Sequence, residues 1–317
     1  MAVSVCEREF TLTGVASNIR SDGRGRSDVR AAAVESGGIS QASGSCRVSS
    51  AGGTTVLVGI KVAVGAPAVT ASTAADADLD ADIAVDNSED AELSISDADL
   101  RRGRVVCAID CNPAIIPTMD PRAVEDLCID FSEVITKILN ADHGGLDLQS
   151  LCIVPGSTCW VIHVDALVLG YGGNLLDTLF QATRGALHDT LIPKVTVEES
   201  TSASTGNTSY EFDVADDETE DLKGCENIPV IVTLFKIGHH HVIDPTPLEE
   251  ACSDVQLSVA INRKGLPCAI QKTGNGSIEP SQLAEMIQDA KAHGATLFKD
   301  MDEAIERQRV RSLNDTK

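Results

Sequence analysis

Residues 160–178, WVIHVDALVLGYGGNLLDT, read as a strand, a glycine turn and a helix. That arrangement can hold a catalytic group at the exposed end of a strand. The turn itself, Tyr171-Gly172-Gly173-Asn174, carries no carboxylate, imidazole or thiol. Asp165 is the nearest acid upstream, and its place in an apolar strand equally suits a structural role. The His239-His240-His241 run suggests a metal ligand set. In an extended segment alternate side chains point to opposite faces, so at most two of the three could share one ion, with only Asp244 close by. We expect no metal site there. Arg101, Arg102 and Arg104 open a strand, where they could meet an RNA backbone or balance the acidic residues before them. Arg122 stands at a helix start. Arg20, Asp22 and Arg24 surround an Asp-Gly turn and read as an ion pair and turn motif. Gly23 and Gly25 lack a strand-to-helix context, and no Walker lysine follows the glycines of 271–277, so neither stretch reads as a nucleotide loop.

The elements that must position these residues follow from apolar pattern and punctuation. Residues 54–64 (TTVLVGIKVAV) and 104–111 (RVVCAIDC) are strand-like, the second stopped by Asn112-Pro113. Residues 151–154 and 159–169 flank PGST as a hairpin. Val124, Leu127, Cys128, Phe131, Val134, Ile135, Ile138 and Leu139 recur at helical spacing. A second helix follows the glycine turn, with Asn174 as its cap, Asp177 near its positive end and Pro193 as its stop. Further on, IPVIVTLFKIG and VQLSVAINRKGLPCAIQKTG supply three or four strands. Two short helices then close the chain, Pro280 to His293, ended by Gly294, and about Lys299 to Gln308.

The 317 residues carry a formal net charge of −23, but the acidity is concentrated. Residues 70–99 hold 10 Asp and Glu, residues 198–221 hold 9, and neither stretch has a Lys or Arg. Of 48 acidic residues, 29 then remain for the rest of the chain against 25 basic ones, so the body is nearly neutral. Such polar stretches bury little apolar area, and both are expected to be mobile surface loops. The 10 cysteines are scattered without a Cys-x-x-Cys pair, which argues for free thiols in a reducing compartment over a disulfide or zinc framework. The first ten residues lack the apolar core of a signal peptide, and no apolar run is long enough to span a bilayer. Aromatics are only 3% of the chain, so recognition of single strands by base stacking is not expected.

Several of these stretches resemble one family. IRSDGRG, 19–25, is similar to the Arg-x-Asp-Gly-Arg signature of the RNase PH family, and GSCRVSSAGGTTVLVGIKVAVGAP, 44–67, resembles its opening hairpin. CWVIHVDALVLGYGGNLLDT looks like its central strand, turn and helix. KIGHHHVIDPTPLEEAC, VQLSVAINRKG and QKTGNGSIEP resemble the second lobe of its exosome members. The resemblance implies an α+β, two-lobed fold of the ribosomal protein S5 domain-2 type. It places the first lobe at residues 1–197, an acidic flexible connection at 198–224 and the second lobe at 225–317. It also implies a six-membered ring with other RNase PH-like subunits, capped by S1/KH subunits, around a channel for RNA. Location in nucleus, nucleolus and cytoplasm is expected, without a membrane or a cofactor.

Active members of that family degrade RNA from its 3′ end by phosphate attack, and carry Ala-Asp-(Gly/Ala)-Gly-Thr-Arg at the turn. Matching Asp165 and Gly173-Asn174 puts Gly172 at the acid's place, or Tyr171 with a one-residue slip, and Leu176 at the arginine's. The preceding helix, where the resemblance implies arginines for phosphate or RNA, shows Glu125, Asp126, Asp130 and Glu133 against Lys137, a face that repels phosphate, and leaves Arg122 at its start as a candidate RNA contact. The resemblance therefore implies a non-catalytic ring subunit. An active phosphate-dependent exoribonuclease using Asp165 is the alternative, and an acidic adaptor that recruits basic proteins is a third reading.

Overall fold

Runs of valine and isoleucine bounded by glycine set the strands, and a computed structural model of the chain gives their order. It describes residues 3–67, 101–117, 119–141, 144–201 and 208–315. The acidic stretch 70–99, expected as a loop, lies outside them. Helix α1 (Val5–Ala16) begins at a capping box in which Ser4 and Glu7 satisfy each other's backbone N–H groups. Strands β1 (Ala32–Ser36), β2 (Gly44–Ser50), β3 (Thr55–Gly65), β4 (Arg104–Cys111), β5 (Cys152–Val154) and β6 (Thr158–Gly170) form the first sheet, in the order β1-β2-β3-β6-β4 with β5 against β6. Only β4 runs parallel to its partner β6. Helix α2 (Pro121–Asn140) packs on β4 through the expected stripe of Val124, Cys128, Val134, Ile135, Ile138 and Leu139.

Helix α3 (Leu175–Asp189) lies between the first sheet and the second, touching β2, β3 and β9 (Val230–Ile237). A helix covered on all sides must be apolar around its circumference or bring partners for its polar groups. Leu175, Leu179, Phe180, Ala182, Ala186 and Leu187 meet the first condition. Asp177 and Thr183 meet the second, and Arg184 meets it in part: its guanidinium lies 4.7 Å from the Phe298 ring centre and donates through Nη2 to Asp302 at 2.8 Å. Asn174 starts the helix from a left-handed conformation, with φ of 57°, and makes no side-chain bond to the helix backbone. Its amide instead donates to the Asp177 carboxylate at 3.0 Å, so the expected cap is replaced by a side-chain pair.

Pro193 does not stop this helix. It falls within β7 (Leu191–Thr201), which pairs antiparallel with β8 (Thr208–Asp221) in a separate two-stranded ribbon. Proline is tolerated there because a two-stranded ribbon has only edge strands. Most of the acidic stretch 198–221, expected as a flexible connection, thus forms strand pairs such as Val195 with Val214 and Val197 with Phe212. The valines and aromatics interleaved with the carboxylates supply the strand propensity that bulk composition hides.

The second sheet has the order β10-β9-β11-β12, from β9 (Val230–Ile237), β10 (His240–Ile243), β11 (Val255–Ile261) and β12 (Pro267–Thr273), all antiparallel. A short helix α4 (Pro247–Cys252) intervenes, opened by a Thr246–Glu249 capping box. The chain closes with one helix, α5 (Pro280–Asp315), of 36 residues, where two short ones are expected. Gly294 lies in its interior as a point of close packing: a Cβ there would come within 2.9 Å of the Ile261 Cδ1 atom. The architecture is α+β in two lobes, and no helix among the described residues is long and apolar enough to cross a membrane.

Candidate functional site

The turn after β6 is held from both lobes. Thr54 Oγ1 accepts from the Gly172 N–H at 2.9 Å and donates to the Gly173 carbonyl at 2.7 Å. Arg30 donates to the Gly172 carbonyl at 2.6 Å and to the Pro245 carbonyl at 3.0 Å. Its guanidinium also forms an ion pair with Asp244, whose Oδ2 accepts from the Arg30 backbone N–H at 2.7 Å. Arg24 reaches the same Oδ2 at 3.0 Å. Burial raises the Asp244 carboxyl, but the bonds from Arg30 and Arg24 outweigh it and hold the group below the usual carboxylate range. One residue further into the lobe junction, Arg20 pairs with Glu249 at 2.5 Å and donates to the carbonyls of Ile243 and Asp244 at 3.0 and 2.8 Å.

Gly172 packs against backbone. A Cβ at this position would run into the carbonyl oxygen of Gly52, and Gly173 has φ of 91°, where a side chain is strained. Of the two positions matched to the acid of active relatives, Gly172 is therefore one that no side chain fits, and Tyr171 gives its hydroxyl to Glu250. An acid nevertheless arrives from elsewhere. Glu250, on α4, accepts from the Asn174 N–H at 2.9 Å and from the Tyr171 hydroxyl. Burial raises its carboxyl to about 7, and raises the Tyr171 phenol as well, the latter with help from the Glu250 charge. Asp177 is pushed up to about 6, again chiefly by burial, although Thr233 donates to it through N–H at 3.0 Å and Oγ1 at 2.6 Å. The turn itself is without an acid, as its sequence shows, but the surroundings are not uncharged.

Beside Tyr171 and Glu250 opens a cavity of about 260 Å³. Its walls are mostly apolar, including Ile116, Met119, Leu127, Phe131, Leu175 and Phe235, with Asn174, Ser253 and Gln256 as polar members and no Lys or Arg. The acids expected on the preceding helix, Glu125, Asp126, Asp130 and Glu133, are exposed on α2, and Glu133 pairs with Lys137 at 2.8 Å.

The candidate RNA contacts do not form one patch. Arg101, Arg102 and Arg104 lead into β4, where Arg104 pairs in register with Val161 near the start of β6. The turn follows Gly170, nine residues along that strand, so about 30 Å separates them. Arg102 donates to the Asn140 carbonyl at 3.3 Å. Arg122 is exposed at the start of α2, at the turn's end of the sheet. Asp165 is exposed on the outer face of β6, opposite Gly59 and Ala108, and does not point to the turn. Of the histidines, His240 meets Arg26 at 2.6 Å and His241 meets Asp289 at 2.8 Å. Arg24 bonds Asp22 at 2.6 Å, the expected ion pair. Glu250, Arg30 and Thr54 escape a sequence reading because each is remote in the chain from the turn. The Thr246-Pro-Leu-Glu249 capping box could have marked the helix that carries Glu250.

The model for domain 1 of the 3′ exoribonuclease family, RNase PH, matches residues 28–193, and that for domain 2 matches residues 227–292. The chain belongs to the RNase PH family. A Dictyostelium discoideum protein named "Putative exosome complex exonuclease RRP42" is 30% identical, over 96% of this chain and 98% of its own. Proteins named exosome complex component Rrp42 are 28% identical in Sulfurisphaera tokodaii, covering 95% of both chains, and 30% in Methanopyrus kandleri, covering 89% and 90%. The same RNase PH fold is seen in a solved archaeal exosome core, with a TM-score of 0.68 at 22% identity over 94% of this chain and 96% of that one. A chain of the Archaeoglobus fulgidus exosome, solved with RNA bound to the active site, gives 0.68 at 23% identity over 93% and 97%.

Proposed function

We propose that the chain is a non-catalytic subunit of an exosome ring. It would form subunit interfaces and part of an RNA channel wall, and support 3′-to-5′ RNA processing and degradation by a nuclease held elsewhere. The names of the most similar relatives support the assignment to an exosome. One observation carries the absence of phosphorolysis: the arginine nearest the turn, Arg30, is committed to Asp244 and to the Gly172, Gly173 and Pro245 carbonyls. Phosphorolysis needs cations or free N–H groups around an incoming phosphate, and the lining of the cavity offers no cationic side chain. The partners would be other RNase PH-like subunits in a six-membered ring, S1/KH cap subunits and RNA, in nucleus, nucleolus and cytoplasm.

A second reading rests on Glu250, a carboxyl near neutrality beside a cavity, which has the properties of a general acid. It would make the chain an active phosphate-dependent exoribonuclease. Incubating the purified chain with a 3′-tailed RNA and inorganic phosphate separates the two. No release of nucleoside diphosphates is expected, and release that stops in Glu250→Gln would establish the enzyme. Native mass measurement of the affinity-purified chain with its partners tests the ring.

A further inference from the structure

In the β7–β8 ribbon, Val195 pairs with Val214 and Val197 with Phe212, two residues further along each strand. Side chains of directly opposite residues share a face, and so do residues two apart. Tyr210, two residues before Phe212, therefore continues the same apolar face. At its root, Val195 and Val214 pack on the main core. Beyond the root the face is uncovered: Val197, Tyr210 and Phe212 are 42%, 43% and 39% exposed. A groove of about 230 Å³ runs from Val195 and Val197 to Ile153 and Trp160. The chain has only 9 aromatic residues, so one exposed pair on a two-stranded ribbon is a concentration.

The ribbon beyond its root is acidic, while Lys194 and Lys223 line the groove at the root. Residues 198–221 contain 9 Asp and Glu and no Lys or Arg, and Glu220 and Asp221 are exposed and line the groove with Val195 and Val197. Lys194, at the root, is neutralised by Glu218 at 3.1 Å. Apolar and aromatic side chains among carboxylates repel an RNA backbone and attract cations, which also bind aromatic faces. A second copy of this chain would bring the same acidic ribbon, which this one repels.

We propose that the exposed face of the β7–β8 ribbon docks a lysine- and arginine-rich protein segment that also carries apolar side chains. Its apolar residues cover Val197, Tyr210 and Phe212 while its cations meet the ribbon's carboxylates.

The test titrates the full chain, alone and in its purified complex, with a fluorescent peptide of alternating Arg and Leu. A peptide of alternating Glu and Leu is the control. Saturable, salt-sensitive binding of the first peptide alone is expected. Tyr210→Ser with Phe212→Ser should weaken it at least about tenfold, as loss of aromatic anchors does, while Phe212→Tyr keeps it. Glu220→Lys with Asp221→Lys leaves the apolar side chains intact and should weaken binding by a similar factor and flatten its salt dependence. Unchanged binding in both double variants overturns the proposal. So does equal binding of the Glu-Leu peptide, or displacement by single-stranded RNA. Binding to the free chain but not to the complex overturns it too, because a ring neighbour then covers the face.

Discussion

The Glu250 carboxylate, from the second lobe, accepts the backbone N–H of Asn174, at the start of the helix between the sheets, at 2.9 Å. This bond fastens the lobes through a group whose ionisation burial opposes. The folded carboxyl titrates at about 7 in place of 4.5, so between those values the folded state keeps a proton that the unfolded chain releases. The stabilisation is whole below 4.5 and is lost as pH rises through 7. Asp177 acts in the same direction between 3.8 and about 6.

Glu250→Gln, which keeps the neutral form's shape, should therefore melt with the native chain near pH 4.5. By about pH 8 it should melt a few degrees higher. Thermal melts across pH give the comparison, and a constant gap would mean that the carboxyl is not held neutral.

Asp244 has the opposite linkage, because its folded carboxyl is held low and its contribution is lost as pH falls through that depressed range. Asp244→Asn leaves the Arg30 and Arg24 guanidinium groups without their shared carboxylate. Breaking a buried pair in this way costs on the order of 3 kcal/mol, measured by urea unfolding. Asp22→Asn, at a more exposed pair, should cost under about 1 kcal/mol.

Arg122 and Arg104 lie at opposite ends of β6 and should separate in an RNA assay. If RNA passes the turn's end of the sheet, Arg122→Ala in the assembled ring lowers affinity and reduces the salt slope by about one. Arg104→Ala then leaves both unchanged. Filter binding across salt concentrations reads the two effects, and the reverse pattern would move the RNA path to the other end.

Gly294 lies inside a single helix against Ile261, so Gly294→Pro should destabilise the chain by about 3 kcal/mol or more. Were the helix broken there, proline would be tolerated, and urea unfolding distinguishes the cases.

Strands β3, β4, β6, β9 and β11 were legible because valine and isoleucine crowd between glycines and turn formers, and α2 because its apolar residues keep helical spacing. Gly294 and Pro193 misled for a shared reason. Each is a local stop signal, and each is overruled by what surrounds it: close packing on Ile261, and an edge strand, half of whose N–H positions face away from the ladder. The ribbon was hidden because carboxylates dominate its composition while Val197, Tyr210 and Phe212 alternate within it. At the turn, the missing acid could be read directly. Glu250 could not, since 79 positions separate it from Tyr171 and only the folded lobe junction joins them.

Gly172 sets a condition on any attempt to place an acid within the turn. With the Gly52 carbonyl occupying the volume that a first carbon would need, Gly172→Asp cannot be accommodated without moving the β2–β3 connection. Placing a carboxylate in this turn is thus a matter of redesigning two loops together, and a single substitution does not suffice.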